Sequence, residues 1–391
     1  MKARRPPSIF RDRRASVLVI VMMSVLFATF ALVAFMERAS TDLLVDQREV
    51  LTRRLRAEAY SALEVTLAVL NEFREATNGL HSPAEGWADP LGFAGYVPTE
   101  GRVVQITFED ESGKISLPRA NAQVLTNLFK NWQLTQPEAE MLADAMLGWM
   151  HKNHVYATSV NPGYDHGPLP FEPPGRSLRT FGELMAIEKV REKFFDDEGR
   201  PNDYWRRFVD SVSLLEFQRP NINGARPDAL AALGQFDPTQ QQNIADYLRG
   251  EGGFAANGPQ FFQSPAEAAK IAAGAQGDTS GFGATISALR IVVTVIDGRT
   301  QFRVAAVIAP PGGATTVQAT ATSQRAQTSA DASKTGTQRQ NATNPTSPKQ
   351  NPAAGQNAPS ATATRNLKYP FTLLEIREND AIPSVLAPPP S

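Results

Sequence analysis

The 391-residue sequence contains no cysteine. Without thiols, no disulfide can hold a domain together, and neither thiolate chemistry nor a cysteine-based metal site is possible. The Gly-x-Ser-x-Gly elbow of hydrolases, the P-loop and the Rossmann glycine pattern are also missing, since Gly281-Phe-Gly283 is too short to count. These absences leave no sequence signal for an enzyme, and we predict that the chain is not one.

Charge is distributed unevenly along the chain. The formal net charge of -1 argues against a surface that coats nucleic acid over its whole length. Residues 1–15, however, carry six basic side chains against one acid, Asp12. The following stretch, Val17 to Phe35, contains no charged residue and, as a helix, is long enough to span a hydrocarbon layer of about 30 Å. We predict that it anchors the chain in a membrane, with Val17, Ile20 and Phe35 among the anchor residues.

The basic residues predict the orientation of this anchor. Positive charge favours the cytoplasmic side, so the polar remainder of the chain is expected outside the cytoplasm. The alternative is a cleaved signal peptide, whose apolar part is shorter, about 7 to 15 residues. Here an apolar pattern with helical spacing continues from Leu51 to Leu70, with charged residues such as Arg54 and Glu58 in its gaps. We therefore predict a retained anchor and one continuous helix over residues 16–75.

Beyond Pro90 the apolar period changes to that of β-strands. Arg102–Phe108 and Lys114–Leu117 flank an acidic turn and are predicted to pair as a hairpin. Ser287–Ile296 and Thr300–Ile308 flank an Asp-Gly turn and predict a second hairpin.

The pattern between the two hairpins is helical. Thr135 is the expected N-cap of one of these helices. The predicted helices are Asn121–Lys130, Pro137–Met150, Ser177–Val190, Asn202–Val212, Arg226–Leu233 and Pro238–Arg249.

The composition changes again near the C-terminus. Residues 310–365 contain no aromatic residue and a single acid, Asp331, which predicts disorder. Tyr369–Ile376 then predicts a last strand that returns to the sheet. The chain as a whole is predicted to be α+β. Its predicted parts are a leader (1–15), a long helix (16–75), a small α/β domain (76–120, 280–309 and 366–380), an inserted helical domain (121–279) and the disordered segment (310–365).

This order of elements is similar to that of general secretion pathway protein K, the large minor pseudopilin of type II secretion systems. Three segments resemble motifs of that family: Glu109–Leu117 (EDESGKISL), Ser177–Leu184 (SLRTFGEL) and Pro220–Leu230 (PNINGARPDAL). The resemblance implies a pilin-like α/β domain in the periplasm and a single-pass anchor in the inner membrane. It also implies a place at the pseudopilus tip, where the I- and J-type minor pseudopilins are the partners and filament assembly starts.

The resemblance assigns a role to the leader. Prepilin peptidase is expected to cut between Ala15 and Ser16 and to methylate the new terminus, although the family prefers Gly where this chain has Ala15. Most pseudopilins carry Glu at the fifth residue after the cut, and the K-type characteristically lacks it. Ile20 occupies that position here.

Metal sites are predicted to be absent, and no cofactor is expected. K-type pseudopilins resemble calcium binders in their insertion, but Gly148-Trp-Met-His151 replaces the acidic residues there. The acidic turn Asp196–Gly199 leaves calcium open as an alternative. His151, His154 and His166 could in geometry form a zinc site, yet they lack the spacing of a zincin motif and are expected to be solvated.

Two other functions remain open. Residues 221–249 resemble a helix-hairpin-helix unit, which would make the chain an envelope-anchored nucleic-acid-binding protein. The hairpin segment Gly234-Gln-Phe236 lacks the second Gly of such units, and few basic residues surround it, so no nucleic acid is expected. The second alternative is a minor pilin of a type IV pilus.

Overall fold

The computed structural model describes residues 13–99, 101–159, 172–272, 277–316 and 370–379. Most of the predicted leader and of the segment predicted to be disordered lies outside these residues. The α+β fold predicted from the sequence is confirmed, with a long N-terminal apolar helix, a small antiparallel sheet and a set of shorter helices.

The N-terminal helix α1 runs without interruption from Arg13 to Thr77. Its first part is exposed, whereas Leu55, Ala59 and later residues of the same face are buried. The helix ends where Asn78 adopts a left-handed conformation (φ 56°). One helix is therefore both the apolar N-terminal segment and part of the folded core.

The described residues contain six strands, in chain order: β1 (Arg102–Asp110), β2 (Ile115–Ser116), β3 (Val212–Ser213), β4 (Leu289–Asp297), β5 (Thr300–Ala309) and β6 (Thr372–Glu378). Four of them form an antiparallel sheet in the order β1-β4-β5-β6. The predicted hairpin around the Asp-Gly turn is β4 and β5, with Asp297 opposite Thr300.

One face of the sheet packs on the second half of α1. The residues Ile291, Val293 and Val295 of β4 alternate along the strand and are all buried against this helix. Trp87 closes one end of this core, edge-on to Phe108 with ring centroids 5.0 Å apart. The apolar stripe that the sequence shows on α1 is thus the side that covers the sheet.

The predicted first hairpin is wrong. Strand β1 pairs with β4, whereas β2 pairs in parallel with β3, nearly a hundred residues further along the chain. The Asp110 carboxylate accepts the Ser112 N–H at 2.9 Å and starts a 3-10 turn over Glu111–Gly113, which leads the chain out of the sheet. A two-residue strand offers too few ladder bonds to compete with the nine-residue β4 for β1.

The remaining helices lie almost entirely between β1 and β4. The predicted helix Ser177–Val190 is wrong in its bounds: a 3-10 helix covers Phe181–Ala186, and the α-helix starts at Glu188. Ile187 between them has an extended backbone. This changes the direction of the chain, so that Val190 and Phe194 are buried in the core. The α-helices are α2 (Pro90–Phe93), α3 (Ala122–Asn131), α4 (Gln136–Met150), α5 (Glu188–Phe194), α6 (Asp203–Ser211), α7 (Pro227–Gly234), α8 (Pro238–Arg249) and α9 (Pro265–Ala272).

The inserted helices have two cores of their own. An aromatic cluster around Phe129, Trp132, Phe194 and Phe208 joins α3 to α6, and a smaller cluster around Phe262 joins α7, α8 and α9. The insertion is therefore held by packing of its own, as a chain without disulfides requires.

The predicted start of the disordered segment at residue 310 is also wrong. Residues 310–316 are placed: Ala314 is buried, and Thr315 forms an antiparallel bridge with Glu216. Two backbone bonds of 2.9 Å between Glu216 and Thr315 supply order that composition alone does not show. Residues 317–365 lie outside the described residues.

Candidate assembly region

The predicted anchor residues lie on the exposed part of α1. Val17, Ile20 and Phe35 all have more than half of their surface exposed, at 59%, 61% and 70%. In the described part of the chain, α1 is the one helix that is long and apolar enough to cross a membrane. No other part of the described chain covers this surface.

The polar side chains inside the apolar stretch are satisfied by the helix itself. The Ser24 hydroxyl donates to the Ile20 carbonyl at 2.8 Å, and the Thr29 hydroxyl donates to that of Val25 at 3.0 Å. Hydrocarbon offers no hydrogen-bond partners, so such internal bonds are what a spanning helix needs. Ala15 and Ser16, the predicted cleavage residues, lie in the helical backbone near the start of α1, and their side chains are outside the described residues.

Below the anchor, a buried carboxylate attaches α1 to the entry of the sheet. Glu58 accepts hydrogen bonds from the Tyr96 hydroxyl (3.0 Å), the Thr99 N–H (3.0 Å) and the Arg102 guanidinium (2.9 Å). Burial raises the pKa of Glu58, but the hydrogen bonds together outweigh it and leave that pKa lowered. Burial and the bond to Glu58 raise the pKa of Tyr96 to about 12.

A second carboxylate attaches α1 to the last strand. Glu378 accepts from the Tyr60 hydroxyl at 2.6 Å and from Arg56 Nε at 2.8 Å. The bond from Tyr60, followed by the bond and charge of Arg56, lowers the pKa of Glu378. Strand β6, which follows a long stretch of chain outside the described residues, is thereby held against the helix.

Two of the three segments that carry the family resemblance meet in space. The Asn221 amide donates to Asp110 Oδ2 at 2.7 Å, and the Asn221 N–H donates to the Ser112 carbonyl at 2.8 Å. The Arg226 N–H donates to the Gly113 carbonyl at 3.0 Å. This contact between residues 109–114 and 221–226, called the junction below, connects the sheet to the inserted helices.

The junction is packed so closely that it requires glycine. A Cβ added to Gly113 would lie 1.9 Å from the Gly224 carbonyl oxygen, and one added to Gly224 would lie 2.3 Å from Asp110 Oδ2. The first contact is with backbone, and the Cβ on Gly224 would also lie 2.7 Å from Asp110 Cβ, which a rotation of the carboxylate cannot relieve. Both glycines are therefore needed for close approach of the two segments.

Charged groups surround the junction in pairs. Glu109 accepts from Arg226 at 2.9 Å, and Glu111 is paired with Lys114 and Arg290. Burial raises the pKa of Glu111, but the charges of Lys114 and Arg290 outweigh it and lower that pKa. Asp110 differs because it is paired with no cationic side chain of the described residues: burial raises its pKa to about 6 against hydrogen bonds from Ser112 and Asn221.

A third buried carboxylate organises the insertion itself. Asp228 accepts from Trp132 Nε1 (2.9 Å), the Ser211 hydroxyl (2.8 Å) and Arg207 (2.7 Å). Burial raises the pKa of Asp228, and the bonds from Arg207, Ser211 and Trp132 together lower it below its ordinary value. Helices α3, α6 and α7 are thus joined through one side chain near the junction.

Two of the three histidines of the possible zinc site, His151 and His154, have different surroundings. The ring of His154 lies 2.6 Å from Asp144, whose other oxygen accepts from the Thr158 N–H and hydroxyl, and His151 is exposed at the end of α4. His166 lies outside the described residues. Among the described residues, no group of three or more His, Asp or Glu side chains is placed to hold a metal ion. Asp196 of the acidic turn bonds to the backbone and side chain of Arg200 instead.

The hairpin between α7 and α8 uses its backbone amides within the chain. The Gln235 N–H donates to the Ala231 carbonyl, the Phe236 N–H to that of Leu230 and the Asp237 N–H to the Gln240 side chain. A helix-hairpin-helix unit that binds DNA presents such amides to phosphate. Here these three amides are already occupied, and Phe236 is buried in the core, an arrangement suited to packing within the protein.

Comparison with known proteins found a similarity in structure and no matching family or curated sequence. No protein-family model matches the chain, and no curated protein does. The chain is similar to a chain in the crystal structure of the GspK-GspI-GspJ complex from the type 2 secretion system of enterotoxigenic Escherichia coli, with a TM-score of 0.46 and 14% identity over 70% of this chain and 96% of that one. At this TM-score and identity the likeness carries no argument about function, which rests below on the residues of this chain.

Sequence reasoning missed the structural roles of three carboxylates, Glu58, Asp110 and Asp228. Glu58 was expected among the charged residues that fill the gaps of the apolar stripe, but the structure buries it. Its spacing gives a usable signal, since Glu58 lies three residues after Leu55 and four before Ala62, on the buried face. Asp110 and Asp228 lie inside the segments already noted for their resemblance, but only the fold gives them partners.

Proposed function

We propose that this chain is the K-type minor pseudopilin of a type II secretion system. Its anchor lies in the inner membrane with the N-terminus in the cytoplasm, and the α/β domain and the insertion lie in the periplasm. With I- and J-type minor pseudopilins it forms the tip of the pseudopilus and starts filament assembly for protein export across the outer membrane.

The proposal rests on the two roles of helix α1, as an apolar membrane segment and as part of the folded core. Its segment Val17–Phe35 presents an uncharged surface that no other described part of the chain covers, and its second half is built into the core under the sheet. A force applied to the membrane half is therefore transmitted directly to the folded body. This is the property required of a subunit that is lifted out of a membrane into a filament.

The insertion supplies the reason for a tip position. It is attached to the sheet through the junction and has its own packed cores, so it adds bulk that would block stacking of a further subunit above it. Ile20 also supports a place at the tip. A subunit that has no other subunit above it needs no glutamate at this residue to neutralise the terminal amine of a neighbour.

The test is the intact mass and N-terminal sequence of the protein purified from its native membrane, with and without prepilin peptidase. A start at Ser16 that is methylated and depends on the peptidase is the expected result. An uncleaved leader would indicate a plain membrane anchor, and a start beyond Phe35 would indicate a secreted protein; either would overturn the proposal. Loss of secretion rather than of pili on deletion of the gene separates it from a type IV pilus subunit.

A further inference from the structure

Strand β6 joins the sheet from far along the chain. It forms one edge of the order β1-β4-β5-β6, and among the described strands it pairs with β5 alone. Residues 310–371 connect β5 to β6, whereas Gly298 and Arg299 suffice to connect β4 to β5. Because the entropic cost of closing a connection grows with its length, the chain holds β6 to β5 less firmly than it holds β5 to β4. Strand β6 therefore depends on contacts of its own.

Two side chains anchor this part of the chain, one at each end of the strand. Phe371, the residue before β6, is 2% exposed in the core between the sheet and α1, and the Arg74 guanidinium lies 5.8 Å from its ring centroid. At the other end, Glu378 accepts hydrogen bonds from the Tyr60 hydroxyl at 2.6 Å and from Arg56 Nε at 2.8 Å. Arg74, Tyr60 and Arg56 all belong to α1. Both anchors thus bind to a helix that precedes β6 by most of the chain.

Between the anchors, the backbone of β6 makes more of the contact than its side chains do. No residue of Thr372–Glu378 is fully buried, and Leu373 and Ile376 keep 46% and 39% of their surface exposed. The antiparallel pairing with β5 shifts register between Val307 and Ile308. Backbone pairing of this kind gives affinity to an added strand, and side chains held in pockets give it selectivity. The two anchors are therefore what sets the register of β6.

The sheet has a packed core apart from β6. Strands β1, β4 and β5 already form three neighbours, and Val304, Ala306 and Ile308 of β5 belong to the core that α1 covers. Three strands packed on a helix are enough for a stable sheet. Without β6, the outer edge of β5 would present N–H and C=O groups that can pair with another strand.

We propose that the edge of β5, together with the buried position of Phe371 and the Arg56 and Tyr60 side chains, is a peptide-binding site, and that residues 370–379 occupy it as an exchangeable ligand. The ligand class is an extended segment with an aromatic side chain and, seven residues later, a carboxylate, as Phe371 and Glu378 are placed here. Because the site binds the segment and not its connection, residues 370–379 of a second copy can replace the chain's own.

A cut in the connection makes β6 a separate molecule without removing it. The full-length protein, with a site for a sequence-specific protease in place of residues 335–341, is cleaved in nanodiscs. We expect the C-terminal fragment to stay bound and a fluorescein-labelled peptide of residues 366–381, added in excess, to replace it with a rise in anisotropy. No tryptophan follows Trp205, so tryptophan fluorescence reports on the rest of the protein and should keep its folded value during the exchange.

Peptide variants test the aromatic anchor. Phe371→Ala in the peptide should weaken binding by about tenfold or more, because buried aromatic side chains dominate the affinity of such contacts. Leu373→Ala is the matched control: it shortens an apolar side chain two residues away that is 46% exposed, and it should weaken binding by less than about threefold. Equal losses for the two peptides would mean that Phe371 has no specific place in the complex, and would overturn the inference.

A pair of charge variants tests the register. Arg56→Gln in the protein and Glu378→Gln in the peptide should each weaken binding by about three- to tenfold. The second change should add little once the first is present, because both remove the same ion pair. Losses that simply add would mean that the peptide binds in another register or at another place, and would contradict the proposed site.

The kinetics of exchange distinguish a ligand from a fixed strand. Exchange should be faster than unfolding of the protein, whose rate in the absence of urea is extrapolated from tryptophan fluorescence. Equal rates would show that β6 is a fixed part of the fold. Loss of the fragment after cleavage, with no binding of the peptide, would show that the connection alone retains β6; either result overturns the inference. Neither involves the leader, the peptidase or a partner subunit, so the proposed function would stand.

Discussion

At the scale of single residues, the fold depends on carboxylates that are buried with different partners. Asp228 is bonded to Arg207 and three neutral side-chain donors, whereas Asp110 has neutral donors only among the described residues. The same residue type therefore has its pKa shifted in opposite directions, down for Asp228 and up for Asp110. This contrast gives the protein a predictable response to pH.

Asp110 should make the protein less stable as the pH rises through the mildly acidic range. Its pKa in the folded chain, about 6, lies above the ordinary value of 3.8, so the folded state holds the proton more tightly. The stabilising effect is complete below about pH 4 and is lost as the pH rises through about 6, by ~3 kcal/mol in all. Urea unfolding of the wild type and Asp110→Asn at several pH values should show this slope in the wild type alone.

Asp228 provides a control, because its contribution to stability should change with pH in the opposite direction. Its lowered pKa means that its contribution is present above the ordinary aspartate pKa and is lost as the pH falls. Asp228→Asn should therefore destabilise the protein most at neutral pH, where Arg207 loses its partner. If both variants shift stability with the same pH dependence, the assignment of Asp110 as the group that gains a proton on folding is wrong.

Glycine at the junction should be irreplaceable. Gly113→Ala places a Cβ 1.9 Å from the Gly224 carbonyl oxygen, so the two segments must move apart. We expect a loss of about 2–4 kcal/mol in the free energy of unfolding. Gly253→Ala, where an added Cβ meets nothing within 4 Å, should change it by less than about 1 kcal/mol; thermal unfolding of the two variants compares them directly.

At the scale of elements, α1 has two halves with different energetic roles. Leu55 is fully buried against the sheet, whereas Leu44, eleven residues earlier on the same helix, is 57% exposed. Leu55→Ala should lower the free energy of unfolding by about 2–5 kcal/mol because it leaves a cavity. Leu44→Ala should have almost no effect on unfolding, since alanine preserves the helix and no contact is lost.

Denaturant unfolding in detergent measures both leucine variants under the same conditions. A large effect of Leu44→Ala would mean that the exposed half of α1 folds back on the body in solution.

At the scale of the whole molecule, topology can be checked with single cysteines because the chain has none of its own. Arg299→Cys lies in the exposed β4–β5 turn and Ser8→Cys in the leader. In cells without prepilin peptidase and with a permeabilised outer membrane, a maleimide that cannot cross the inner membrane should label position 299 and not position 8. The reverse pattern would place the folded body in the cytoplasm.

The elements that sequence alone predicted well are those with a local cause. The span from Val17 to Phe35 follows from the absence of charge, the start of helix α4 from its N-cap Thr135, and the β4–β5 hairpin from an Asp-Gly turn between apolar runs. Each depends on interactions between residues a few positions apart, which the order of amino acids contains directly.

Only the tertiary structure could determine the rest, because the deciding contacts join residues far apart in the chain. The partner of β1 is β4 rather than β2, because nine paired positions stabilise a ladder more than two do. No local feature of the sequence indicates this pairing. Likewise, Asp110 finds Asn221, Glu58 finds Arg102 and Thr315 finds Glu216 only after the chain has folded. The sequence by itself determined an α+β protein with an N-terminal helix long and apolar enough to span a membrane; the fold alone determined which polar residues are buried and which partners they have.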